Sequence, residues 1–175
     1  MKPRILVSAC LLGVNCRYDG GGKAIPEVAE LMELAELVPV CPEILGGLPT
    51  PRAPSERVGA RVLAKGDGNP SGISSRCATT TVESEIRARC PGADVTANFA
   101  RGAGEALKLA ELFGARYALL KERSPSCGSG QIYDGSFSGG LTRGDGVTAE
   151  LLKGHGIAIY GESRVEELRE FLKEE

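Results

Sequence analysis

A chain of 175 residues suits one domain, residues 1–175, and is long enough to bury a sizeable core. Its 21 basic against 23 acidic residues leave no basic excess for a broad duplex-binding face. No window approaches the ~20 apolar residues of a membrane span, and the absence of Trp leaves little aromatic surface for stacking.

Lys2 and Arg4 ahead of Val7-Ser8-Ala9-Cys10 mimic a lipoprotein cleavage site. Only Ile5 to Val7 can serve as its apolar core, against the ~7–15 residues a signal peptide needs. A cytoplasmic location is therefore expected, where thiols stay reduced. Six cysteines in such a chain favour metal binding or chemistry over staples.

Residues 5–11 read as a first strand, followed by a glycine-rich loop through Gly20-Gly21-Gly22-Lys23. Pro26 suits the first turn of a helix. Val28, Leu31, Leu34 and Ala35 recur at helical spacing to about Glu36. A second strand at 37–41 completes a β-loop-α-β unit, which implies a parallel pair. Residues 42–60 are rich in Pro and Gly and read as a loop, 61–65 as a short strand, 66–75 as a turn and 79–89 as a helix. Asp94 or Thr96 can cap a longer helix to Phe113, with Phe99, Ala103, Ala106, Leu107, Ala110 and Phe113 as its apolar stripe and Gly114 as its stop. Strand 117–121 follows. Residues 124–146 form a long loop with a small hairpin near 131–135. A helix at 148–154, a strand at 157–160 and a helix capped by Ser163 end the chain. The alternation predicts a three-layer α/β domain with a mostly parallel, Rossmann-like sheet and long Gly/Pro-rich loops at the C-terminal strand edge.

Cys10 and Cys41 end apolar runs, and Cys127 lies just past Tyr117 to Ser124. Ligands collect at the C-terminal edge of open parallel sheets, so three thiols far apart in sequence can meet there. A soft-metal or iron–sulfur site is one reading; buried cysteines packing as small hydrophobes is the other. Cys16 is a ligand or resolving thiol or neither, and Cys77 and Cys90 read as packing residues. Glu43, two residues past Cys41, is a candidate acid or base. Ser124-Pro125-Ser126-Cys127-Gly128 reads as an anion nest or a plain turn. The Gly20–Lys23 run lacks full phosphate-loop spacing, while Arg17, Lys23 and Arg52 can meet a phosphate or carbonyl near the sheet edge. His155, the one histidine, reads as a partner of a helix C-terminus.

Four motifs carry a resemblance: Ser8-Ala9-Cys10-Leu11-Leu12-Gly13; Arg17-Tyr18-Asp19-Gly20; Val40-Cys41-Pro42-Glu43 with Gly47-Leu48-Pro49-Thr50-Pro51-Arg52; and Lys121-Glu122-Arg123-Ser124-Pro125-Ser126-Cys127-Gly128. Together, and in this order, they resemble the DUF523 family, which includes the thiouracil desulfurases. The resemblance implies a [4Fe-4S] cluster held by Cys10, Cys41 and Cys127 with one open iron, and catalysis by Glu43 and Ser124. It leaves Cys16 outside the ligand set. The activity implied is non-redox replacement of C=S by C=O in thiouracil or a thiolated nucleoside or nucleotide, with release of sulfide. A thiolated tRNA is a possible substrate that the charge does not favour. The alternatives are a non-catalytic module that binds a nucleotide or thiolated RNA or carries sulfide, and a thiol redox protein using Cys10 and Cys16.

Overall fold

The computed structural model describes residues 2–65 and 92–174. The helix expected at 79–89, the turn at 66–75, and Cys77 and Cys90 lie outside these residues. Four strands form a parallel sheet: β1 (Arg4–Ser8), β2 (Glu36–Val40), β5 (Tyr117–Leu120) and β8 (Ala158–Gly161), in the order β2-β1-β5-β8. Two antiparallel ribbons stand apart from it. One pairs β3 (Ser55–Val58) with β4 (Arg61–Ala64), the other β6 (Gln131–Tyr133) with β7 (Leu141–Arg143).

β1 is central because Ile5, Leu6 and Val7 are all fully buried, a continuous apolar run that only a strand covered on both faces can accept. Side chains alternate across a strand, so Ile5 and Val7 face one layer and Leu6 the other. The first layer receives Val28 of helix α1 (Pro26–Glu30), Leu31, and Val165, Leu168 and Leu172 of α5 (Val165–Glu174). The second receives Ala106 and Ala110 of α3 (Thr96–Phe113) and Ala149 and Leu152 of α4 (Val147–Gly154). The result is the expected three-layer α/β arrangement. Pro39 sits in β2, an edge strand of the described sheet, where a missing N–H is tolerated.

Several local expectations change. β1 ends at Ser8, and Ala9–Leu12 turn into a 3-10 helix closed by Gly13 in the left-handed region. Cys10 therefore sits in a tight turn just past the strand. α1 gives way at Leu31–Glu33 to 3-10 geometry. The loop expected at 42–60 contains a helical turn, α2 (Pro42–Leu45), and all of β3. Ser163 does not cap α5. It lies inside the 3-10 turn Glu162–Arg164, and its N–H and hydroxyl both bond Glu122 Oε1. The stop at Gly114 is as expected, with φ 65°. Phe113, assigned to the α3 stripe, is 39% exposed and lies outside the core.

The chain runs from β1 to β2 on one side, then returns to place β5 on the other side of β1. That reversal is a topological switch point, and the crevice outside the strand ends there is where such sheets bind ligands.

Candidate active site at the sheet edge

A cleft of about 930 Å³ opens at this switch point. Cys10, Cys41, Cys127, Glu43 and Ser124 all line it, and so does Cys16. Cys10 comes from the turn after β1 and packs with the α1–α5 layer. Cys41 follows β2 and stands at the N-cap of α2. Cys127 returns after β5 and packs with the α3–α4 layer. The thiols thus converge from both faces of the sheet over its open end. All four described cysteines are free.

Burial pushes the Cys10 thiol up to about 11, and the Cys41 charge adds to this against Lys121 and Arg17. The Cys16 thiol is pushed up to about 12 by burial, then by Cys41 and Cys10. Cys127 is raised by burial; a hydrogen bond from Ser8 opposes this, while Cys41, Glu43 and Cys10 add to it. Close, buried thiols that disfavour one another as thiolates suit a cationic soft-metal centre, which deprotonates coordinating thiols outright. Among the described residues no three Cys, His, Asp or Glu side chains are grouped for a single metal ion. Three thiols with no histidine among them are a soft donor set of the kind that holds an iron–sulfur cluster, and in that chemistry the residues present fit one.

Glu43 lies in the first turn of α2 and is held from one side. Arg52 donates from Nε to Glu43 Oε2 at 2.6 Å, and its Nη2 forms an ion pair with the same oxygen at 2.6 Å. Arg52 is itself buried and is consumed inside the protein rather than offered to a phosphate. Arg17 pairs with Asp19 (2.9 Å) and Lys23 with Glu162 (2.8 Å). The glycine run is no phosphate cradle either: Lys23 N–H donates to the Cys10 carbonyl, and a Cβ on Gly22 would strike the backbone of Gly13.

The Ser124–Gly128 segment resolves as a turn closed on itself. Ser124 Oγ accepts from the N–H groups of Ser126 and Cys127, each at 3.1 Å, and the Ser124 carbonyl accepts from Gly128 N–H. The N–H groups expected to cradle an anion are thereby spent, leaving the Ser124 hydroxyl proton as the polar feature it offers. Arg123, just before it, has φ 62°, the strained geometry often found at functional sites. His155 behaves as expected, its Nδ1 within 2.9 Å of the Leu151 carbonyl at the end of α4.

Sequence reasoning missed three contributors. Ser8, almost fully buried, accepts Lys121 N–H at 2.9 Å and hydrogen-bonds Cys127. A lone polar residue closing an apolar strand was its signal. Glu162 accepts from Lys121 and Lys23 and from Glu122 N–H (3.0 Å), clasping the glycine loop to β8. Buried Glu56 accepts from Gly135 and Phe137 N–H groups, each at 2.9 Å, and so hangs the β6–β7 loop beside the cleft.

A doubly wound α/β chain with three thiols and an ion-paired carboxylate at its switch point belongs among cluster-binding or thiol-dependent enzymes. The 2-thiouracil desulfurase family model matches residues 5–164, and the chain belongs to that family. It is 39% identical over 164 residues to YbbK of Bacillus subtilis (strain 168), an uncharacterised protein, covering 94% of this chain and 99% of that one. Its fold matches a solved structure of the [4Fe-4S]-dependent thiouracil desulfidase TudS at a TM-score of 0.78 and 42% identity, over 98% of this chain and 99% of the other. The chain is thus a desulfurase-family enzyme of DUF523 type.

Proposed function

We propose that this protein is a [4Fe-4S]-dependent desulfurase that turns the C=S of thiouracil, or of a thiolated nucleoside or nucleotide, into C=O and releases sulfide. The observation that carries this reading is the meeting of Cys10, Cys41, Cys127 and Glu43 on one cleft. Cys10, Cys41 and Cys127 would hold the cluster. Bound by three protein thiolates, the cluster would supply one iron without a protein ligand, a Lewis acid for the soft thiocarbonyl sulfur.

The chain's own groups handle the protons. Arg52 occupies Glu43 Oε2, so Oε1 is the atom that takes a proton from the attacking water. The water oxygen forms the new C–O bond, the C–S bond breaks, and the sulfur keeps that electron pair as sulfide. The proton on Glu43 passes to the ring nitrogen or the leaving sulfur, and the second water proton, left on the new hydroxyl, departs with the sulfide as the C=O closes. No net electron transfer is required. Ser124, its oxygen already engaged by two N–H groups, donates its hydroxyl proton to the substrate as charge develops. The reducing cytoplasm suits three free thiols, and a formal net charge of −2 does not favour a tRNA substrate.

The test is iron and acid-labile sulfide content after anaerobic reconstitution, with sulfide release from 2-thiouracil. The wild type should bind about four irons per chain. Alanine at Cys10, Cys41 or Cys127 should each abolish this. Glu43→Gln should keep the cluster and lose about 10²–10⁴ in turnover. A cluster indifferent to these cysteines overturns the reading. So does sulfide release indifferent to Glu43, which is the behaviour of a binding module or carrier.

A further inference from the structure

Arg52 has a side chain only 3% exposed, yet it stands beside the cleft. Its donors are all engaged within the protein. Nε bonds Glu43 Oε2 and Nη2 ion-pairs with that oxygen; Nη1 and Nη2 bond the Cys16 carbonyl at 3.2 and 3.1 Å; Nη1 also meets the Pro49 carbonyl and Thr50 Oγ1, each at 3.2 Å. Its backbone N–H donates to the Tyr18 carbonyl at 2.8 Å. The Cys16 carbonyl accepts a second kind of partner, the Cys41 thiol, with Sγ at 3.7 Å. One guanidinium therefore ties the candidate base to the loop that covers a candidate ligand. Cys41 and Glu43 flank Pro42, so the tie spans both sides of one helical turn.

We propose that Arg52 is the positioning residue of this site, acting through the Glu43 carboxylate and the Cys16 carbonyl, which it locks into one buried frame. The proposal rests on the desulfurase reading for its kinetic consequence, but the frame itself is a property of the protein without cluster or substrate. A rigid planar fork sets the direction of each bond, and an ammonium cannot reproduce it. Preorganisation of this kind keeps a reacting group within a fraction of an ångström of its working geometry.

Arg52→Lys tests the proposal in two settings. In the cluster-free protein, Cys16 alkylation by iodoacetamide and amide exchange at Cys16, Arg17 and Tyr18 should both accelerate on the order of tenfold or more, from loss of charge-assisted bonds. In the reconstituted protein, iron per chain should stay at the wild-type level while kcat falls on the order of tenfold to a hundredfold with little change in KM. Placed on Glu43→Gln, Arg52→Lys should lower kcat no further. Unchanged Cys16 protection overturns the frame. A raised KM at constant kcat, or losses that multiply with Glu43→Gln, overturns action through Glu43. If Arg52→Lys does not fold, the Arg52→Gln, Glu43→Gln pair leaves no buried charge unmatched, and its Cys16 protection is compared with Glu43→Gln alone: equal protection overturns the proposal. If the wild type binds no iron, the desulfurase reading fails, and the cluster-free arm still decides the role of Arg52.

Discussion

Gly102 of α3 lies directly against the carbonyl of Pro42, so that a Cβ built there would overlap the oxygen and crowd Gly46 N–H as well. Gly46 in turn sits on the Asn98 carbonyl, and its own carbonyl accepts from Asn98 Nδ2 (2.9 Å) and Arg101 Nε (3.1 Å). The turn that carries Cys41 and Glu43 is therefore seated on the long helix by backbone contact. Gly102→Ala gains about 1 kcal/mol of helix propensity but forces a backbone shift of the kind that costs about 1–3 kcal/mol. The clash wins. The variant should melt lower and retain less iron on reconstitution. Gly104→Ala, two residues on and with nothing within 4 Å, should melt slightly higher and keep its iron. Equal behaviour of the two variants would refute the seating of α2 on Gly102.

Ser8 and Cys127 give a second test. The Ser8 oxygen takes the Lys121 N–H at 2.9 Å and the hydroxyl supports Cys127, at a position 2% exposed. Ser8→Ala leaves a part-buried N–H without a partner, at about 1–3 kcal/mol. It also removes the bond that favours the Cys127 thiolate. Denaturant titration should show the stability loss, and a chelator challenge should strip iron faster than from wild type. Wild-type chelation kinetics in a destabilised Ser8→Ala would separate the structural role from support of Cys127.

The strands of the parallel sheet and the placing of three thiols past them were legible because apolar runs and strand–helix alternation are local signals, although β1 stops at Ser8, three residues short of its expected end. Ile5 to Val7, the α3 stripe and the left-handed Gly114 each follow from residues within one or two turns of one another. β3 was not legible: Ser55-Glu56-Arg57-Val58 has no apolar alternation and follows Pro54, and its pairing with β4 is what makes it a strand. Ser8 and Lys121 meet across 113 residues, and Glu162 and Lys23 across 139. No window on the sequence holds both partners. Ser163 read as a cap because Ser before an amphipathic run normally is one, but the Glu122 carboxylate captured it first.

Glu162 makes stability depend on pH. Burial alone would raise its carboxyl, but hydrogen bonds from Lys121, Lys23 and Glu122 N–H outweigh burial and hold it below the ordinary value of 4.5. A carboxylate with a depressed folded-state pKa contributes stability that is fully present above its unfolded value and fades as pH falls through the folded one. Glu162→Gln should therefore cost about 2 kcal/mol near pH 7. The gap to wild type should close as the pH drops below about 4.5. Urea midpoints across the range pH 3–8 read this directly. A gap of constant size would mean that packing, not charge, is what Glu162 supplies.

Cys16 decides between a cluster enzyme and a dithiol redox protein. Its thiol is 2% exposed and is pushed up to about 12, by burial first and then by Cys41 and Cys10. A redox thiol needs the opposite environment, exposed and electropositive, because the thiolate is the nucleophile. At pH 7 the folded, cluster-free protein should leave Cys16 unlabelled by iodoacetamide over times that fully label it in urea. Cys16→Ala should reconstitute the same iron content as wild type and keep its sulfide release within about threefold, since removing a small buried thiol disturbs packing but no ligand. Loss of activity in Cys16→Ala with iron intact would instead assign Cys16 to the chemistry and favour the dithiol reading.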